Sequence, residues 1–137
     1  MQPMDTVSTV IPTMRYADAP AAIDFLCAAF GFERHMVVPG PDGTIAHAQL
    51  RFGNGMIMLG SAREDEYGAM VGPPSGAALT GSPYIVVTDV DAHHDRAVAA
   101  GARVAMPPAD QDHGGRLYSC YDPEGQLWNF GSYDPWA

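Results

Sequence analysis

Apolar and polar positions change period several times along the chain, and the sequence of changes repeats. Residues 7–14 form an apolar, β-branched strand signal that runs into Arg15-Tyr16-Ala17-Asp18. The period then lengthens, with Ile23, Leu26, Cys27 and Phe30 at helical spacing. Asp18 is placed to cap this helix, Pro20 sits in its first turn where a missing N–H costs nothing, and Gly31 supplies the stop. Three strands are predicted next, at 32–38, 44–52 and 56–60, the last two joined by the turn Gly53-Asn54-Gly55. A second copy follows. It has a strand at 84–87, then Asp91 as helix cap, an inner stripe of Val90, His94, Ala97 and Val98, and a stop at Gly101. Its later strands are predicted at 103–106, 116–121 and 126–133, with a tight turn at Asp122-Pro123-Glu124-Gly125. The halves end alike, Leu59-Gly60-Ser61 against Phe130-Gly131-Ser132. The plan predicts an α+β fold of two tandem strand–helix–three-strand modules, 7–61 and 83–134, in one domain spanning 1–137. The segment 62–82, rich in Gly, Pro and Ala, reads as a linker or lid between them.

Composition narrows the function classes. The 137 residues suffice for one domain with a real core and are too few for two ordinary ones. Sixteen acids face seven bases for a formal charge of -9, and every base is arginine. Such a chain is a poor partner for nucleic-acid phosphates or an anionic membrane surface. No apolar run approaches the roughly 20 residues of a membrane span, and residues 1–8 lack the basic-then-apolar pattern of a signal peptide. Cys27 and Cys120 are expected to be buried apolar thiols rather than a disulfide scaffold or zinc site. These features predict a soluble, cytoplasmic protein.

The segments Ile11-Pro12-Thr13-Met14-Arg15-Tyr16-Ala17-Asp18, Ile23-Asp24-Phe25-Leu26, Val90-Asp91-Ala92 and Asp122-Pro123-Glu124-Gly125-Gln126-Leu127-Trp128 resemble the vicinal-oxygen-chelate proteins, the glyoxalase/bleomycin-resistance/dioxygenase superfamily. The resemblance spans nearly the whole chain. It implies two βαβββ modules whose curled mixed sheets surround a shared cleft, a small-molecule ligand and a homodimer. The superfamily includes metal-dependent lyases, isomerases and dioxygenases as well as metal-free proteins that sequester antibiotics, so fold alone leaves function open. Carried over position by position, the metal ligands of the metal-dependent members fall on Ile11, Met58, Tyr84 and Asn129. None is a strong ligand for a divalent metal, so neither metal nor other cofactor is expected.

Strand parity predicts which side chains line the cleft. Ile57, Leu59, Leu50, Ala48 and Ala46 are expected under the helices, leaving Met56, Met58, His47, Gln49 and Arg51 toward the cleft. In the last hairpin Trp128 and Phe130 are expected under the helices, with Arg116, Tyr118, Cys120, Leu127 and Asn129 toward the cleft. The walls are then Ile11, Met56, Met58, Val86 and Leu127, with polar points at Thr13, His47, Gln49, Arg51, Tyr84, Arg116, Tyr118 and Asn129. That is the recipe of a small-molecule pocket, and its two guanidiniums suit a carboxylate or phosphate. His93 and His94 diverge on their helix, and Asp110, Asp112 and His113 read as a hydrated turn.

The leading expectation is a metal-independent protein that binds a compact organic ligand, antibiotic-like or anionic and aromatic. The alternative is a glyoxalase-like lyase or isomerase of a small carbonyl or carboxylate substrate. There His47 is the general base, with Tyr118, Arg116 or Asn129 stabilising an oxyanion. A metal at a shifted site, held by His47 with Gln49 or a loop acid, lacks three visible convergent ligands, and an iron dioxygenase falls with it.

Overall fold

The turn and capping residues act where the sequence places them, and they produce the same plan twice. The computed structural model describes residues 6–76 and 78–137. Residues 1–5, within the segment 1–8 on which the signal-peptide expectation rests, and Ala77 of the expected linker lie outside the described residues.

In the first half, β1 (Thr13–Tyr16) leads to α1 (Ala19–Phe25), which continues as one π-helical turn, Leu26–Phe30. The Asp18 carboxylate accepts the Ala21 amide at 3.2 Å, as an N-cap should, and Gly31 closes the helix at φ 91°. The strands β2 (Glu33–Pro39), β3 (Ile45–Phe52) and β4 (Gly55–Ser61) follow. They form a sheet in the order β1-β4-β3-β2, with β1 parallel to β4 and the other pairs antiparallel. The second half supplies β5 (Tyr84–Val86), α2 (Val90–Ala99), β6 (Arg103–Asp110), β7 (Arg116–Tyr121) and β8 (Leu127–Gly131). Its sheet has the equivalent order, β5-β8-β7-β6, again with one parallel pair. This is the expected α+β fold, with eight strands in two repeated modules and no closed barrel.

The chain divides into two compact units. One runs to residue 27 and resumes over 31–73; the other takes 28–30 with 74–137. The core of the first is built from Tyr16, Ile23, Leu26, Leu50, Ile57 and Leu59, all buried. The core of the second is aromatic: Phe30 lies 4.7 Å from Phe130 and 5.5 Å from Trp128, ring centre to ring centre, in tilted contacts. Among the described residues no helix is long and apolar enough to cross a membrane.

Several boundaries and faces differ from expectation. β1 begins at Thr13, so Ile11 precedes the strand. Ala46 is exposed and Ile45 buried instead, because a register shift between Val38 and Pro39 turns the start of β3 over. Helix α2 is capped by Asp89, whose carboxylate accepts the Ala92 amide at 3.0 Å, and not by Asp91. The earlier cap changes the stripe: His93 joins Val90 and Ala97 inside, while Val98 is exposed.

The largest difference is in the last hairpin. Tyr118 pairs with Phe130 and Cys120 with Trp128, so all four side chains share the packed face, and all are fully buried. Tyr118 and Cys120 therefore do not face the side carrying Asn129. The reason is the turn. Asp122 spans it, accepting the amides of Glu124 (3.0 Å) and Gln126 (3.1 Å) on one carboxylate oxygen and the Trp128 indole N–H (3.1 Å) on the other. Residues 122–126 thus lie between the paired Tyr121 and Leu127, an odd number, and the parity of β7 against β8 is the reverse of the β3–β4 case.

Candidate functional site

In the first unit, one sheet face carries Thr13, Arg15, His47, Gln49, Met56 and Met58. The ladders set this directly: Thr13 is beside Met58, Met58 beside Gln49, and Arg15 beside Gly60. Thr13 and Arg51 are exposed, while Arg15, His47, Gln49, Met56 and Met58 are half-buried. His47 Nε2 and Gln49 Oε1 are 2.9 Å apart. A carboxamide oxygen only accepts, so Nε2 is the donor of this bond, and Nδ1 makes no hydrogen bond among the described residues. Arg51, expected to meet a ligand, instead donates to Glu33 at 3.3 Å in an exposed pair.

Arg15 is the polar group that the pattern of residues did not single out as a site. Its guanidinium lies across Gly60, where a Cβ would collide with it. Nη1 donates weakly to the Ser61 carbonyl at 3.4 Å, and the group sits 5.1 Å from the centre of the Tyr67 ring. Arg63 lies over the same ring at 5.6 Å and pairs with Asp65. The sequence did contain a signal: Arg15 stands two residues beyond Thr13, hence on the same strand face, but a strand predicted to end at residue 14 leaves it out.

The second unit holds the repeat-equivalent positions. The Met58 amide donates to Pro12 O (2.9 Å) and the Asn129 amide to Pro83 O (3.0 Å), so Thr13 corresponds to Tyr84 and Met58 to Asn129. Thr13, and not Ile11, is therefore the first-strand member of the set. Asn129 is fully engaged: Nδ2 donates to Ser82 Oγ (2.7 Å) and Pro83 O (3.0 Å), while Oδ1 accepts from Ser119 Oγ (2.7 Å). The Tyr84 hydroxyl donates to the Tyr133 carbonyl at 2.6 Å. Partial burial, with Tyr133 and Asp134 nearby, pushes its phenol above the ordinary range, which keeps it a neutral donor. Beside it opens a recess of about 220 Å³, lined among others by Tyr84, Gln111, His113, Arg116, Leu117 and Tyr133.

Arg116 borders that recess but its charge is spoken for. It reaches Asp110 through Nη1 at 3.2 Å and both carboxylate oxygens of Asp91 through Nε at 3.2 Å. These bonds raise its already high pKa, Asp110 contributing most. Asp91, displaced from the cap by Asp89, is thereby a partner of Arg116.

Tyr118 lies within the packing. Its hydroxyl is 2.6 Å from His93 Nδ1, and His93 Nε2 is 2.8 Å from the Phe30 carbonyl. A carbonyl only accepts, so Nε2 bears the proton and Nδ1 accepts from Tyr118. Burial pushes the Tyr118 phenol strongly up, takes the Cys120 thiol up to about 12, and lowers His93 below its usual value. The set Tyr118–His93–Phe30 is thus a neutral network joining β7, α2 and the end of the first helix.

The donor set for a metal is poor. In the first unit Thr13 and Met58 offer a hydroxyl and a thioether, and in the second Tyr84 and Asn129 offer a neutral phenol and a carboxamide already bonded, where divalent metals want carboxylates and imidazoles. Among the described residues no group of three or more His, Cys, Asp or Glu side chains could hold a metal ion.

The sequence profile of the Glyoxalase/Bleomycin resistance protein/Dioxygenase superfamily matches residues 8–130. An uncharacterised protein of Mycobacterium tuberculosis is 39% identical over 125 residues, covering 88% of this chain and 71% of its own length. Among solved structures, TioX from Micromonospora sp. ML1 superposes with a TM-score of 0.72 at 34% identity, covering 90% of this chain and 97% of its own. A glyoxalase I mutant from Zea mays gives 0.70 at 19% identity, covering 88% of this chain and 43% of its own, a likeness of fold.

Proposed function

The chain belongs to the glyoxalase/bleomycin resistance protein/dioxygenase superfamily, and we propose that within it this protein is a metal-independent binder of a compact organic ligand. One observation carries the reading. The register-equivalent pairs Thr13–Met58 and Tyr84–Asn129, which include three of the positions that the family resemblance marks for metal ligands, carry no carboxylate or imidazole. His47, Gln49 and Thr13 beside the thioethers of Met56 and Met58 support a pocket that is largely apolar with a few orienting polar groups. In this reading the protein acts as a cytoplasmic homodimer. Cys27 and Cys120 form no disulfide, which fits a reducing compartment. The edge strand β2, with Met36 47%, Val37 39% and Val38 42% exposed, fits an interface.

The test is a small-molecule screen by thermal shift on protein purified without chelator or metal resin, paired with elemental analysis. Expected are hits that raise Tm equally with and without EDTA, and no stoichiometric transition metal. A tightly held metal whose removal abolishes those shifts overturns the reading.

The second reading is a lyase or isomerase using His47 as base, and it is favoured by the unengaged Nδ1 that the Gln49 contact leaves. It predicts turnover of a small carbonyl or carboxylate substrate that His47→Gln abolishes and EDTA leaves untouched.

A further inference from the structure

The seven arginines of this acidic chain differ in one respect. Arg34 pairs with Asp24, Arg51 with Glu33, Arg63 with Asp65, and Arg116 with Asp91 and Asp110. Arg96 donates to the Ala28 carbonyl at 2.9 Å, and the exposed Arg103 lies 4.3 Å over the Tyr121 ring. Arg15 is half-buried, has no carboxylate partner among the described residues, and holds a buried Nε that makes no hydrogen bond. Among the described residues its only acceptor, the Ser61 carbonyl, takes Nη1 at 3.4 Å. The Nε–Nη2 edge is therefore idle, and that edge is the one that receives two oxygens of an oxyanion side by side. Four of the seven guanidiniums pair with acids, and of the rest Arg15, on the face shared with His47, Gln49 and Met58, is the one with a buried Nε that lacks a hydrogen bond.

We infer that Arg15 is the anion receptor of the first unit and that the ligand is a small organic oxyanion, a carboxylate or a phosphate monoester. The inference rests on the small-molecule reading above and names its ligand class. The oxyanion takes the Nε–Nη2 edge, the apolar part lies along Met56 and Met58, and Gln49 or Thr13 orients a further polar group. Gly60 is required because any side chain there would displace the guanidinium. Tyr67 covers the group at rest by a cation–π contact. It sits in a segment outside any strand or helix, so its ring can yield without breaking the sheet.

The experiment is an NMR titration of the ¹⁵N-labelled full chain, reading the Arg15 Nε–H signal together with the Met58 methyl. The probes are benzoate, phenyl phosphate, inorganic phosphate and neutral benzamide, each to about 10 mM, a range that reaches weak affinities. Expected is a saturable downfield shift of Arg15 Nε–H with benzoate or phenyl phosphate, whichever class the site takes, and none with benzamide. Arg15→Lys keeps the charge but loses the two-pronged edge, so it weakens the better probe about tenfold or more, and Arg15→Gln removes the response at Met58 as well. Saturation by inorganic phosphate alone, with no added benefit from the ring, overturns the assignment to an organic ligand. Benzamide binding as well as benzoate, with Arg15 unmoved, overturns the anion assignment and leaves the small-molecule reading standing. Silence of every signal to every probe overturns both. Should Arg15→Gln lose its dispersed spectrum, the wild-type titration and Arg15→Lys still decide.

Discussion

The β3–β4 and β7–β8 hairpins occupy equivalent places in the two modules, yet their side chains sort by opposite parity. In the first, a two-residue turn between Phe52 and Gly55 sets Ala48 against Leu59 and Leu50 against Ile57, all on the packed face. In the second, the odd loop 122–126 sets Tyr118 against Phe130 and Cys120 against Trp128. One residue in the turn decides whether a tyrosine is offered to a ligand or locked into the core. A repeat in topology is thus no licence to copy the orientation of side chains, because turn length is specified separately in each copy.

The first way to break the comparison is to attack the turns themselves. Asp122 is 4% exposed and its carboxylate satisfies two amides and the Trp128 indole. Asp122→Ala removes the acceptor of these three hydrogen bonds and is expected to cost about 4 kcal/mol in urea unfolding, enough to threaten a marginal domain. Gly53, at φ 57° in the other turn, tolerates alanine with a cost of about 1 kcal/mol, since only the left-handed backbone is penalised. A similar loss for both variants would contradict the view that Asp122 fixes the register of its hairpin.

The same contrast explains how much could be read from residues alone. The capping Asp18, the stops at Gly31 and Gly101 and the glycine-rich turns act through local chemistry, so the module plan is legible without tertiary information. The face of β3 from Ala48 onward was legible too, because a short turn leaves the alternation of Gln49, Leu50 and Arg51 undisturbed. β7 was not: its residues alternate equally well in either register, and the choice is made by a buried carboxylate reaching across the turn to an indole. Arg116 and Arg51 look like ligand groups in a string of letters, but distant acids neutralise them. Arg15 looks unremarkable there, and only the pairing with Gly60 and the buried Nε without a hydrogen bond distinguish it.

A second prediction concerns what the reversed parity builds. With Tyr118 inside, His93 is held neutral between its hydroxyl and the Phe30 carbonyl. Burial lowers the His93 pKa below the 6.5 of a free imidazole. Between those two values the unfolded chain binds the proton and the folded one does not, so stability is highest above pH 6.5 and falls as pH drops toward the folded value. Urea midpoints taken from pH 7.5 downward should show that loss as a steady fall through this window. His93→Gln retains a donor and an acceptor but cannot titrate, and it should flatten the slope over that window while costing about 2 kcal/mol at neutral pH. An unchanged slope would remove His93 as its source.

The finest test separates the buried tyrosine from the ligand. Tyr118→Phe removes one hydroxyl whose partner is His93 Nδ1, leaving the ring stacked 5.4 Å from Phe130. The expected cost is about 1 kcal/mol, the usual worth of one buried hydrogen bond. Because Tyr118 lies on the packed face, binding of any probe that responds to Arg15 or His47 should be unaltered. Cys120 checks the orientation independently. Its thiol, next along that face, is wholly buried and shifted up to about 12, so in a Cys27→Ser background a disulfide reagent should leave it untouched until the protein unfolds. Rapid labelling of Cys120, or loss of probe binding in Tyr118→Phe, would return β7 to the opposite register. Tyr118 would then regain the place beside a ligand that the sequence alone suggested for it.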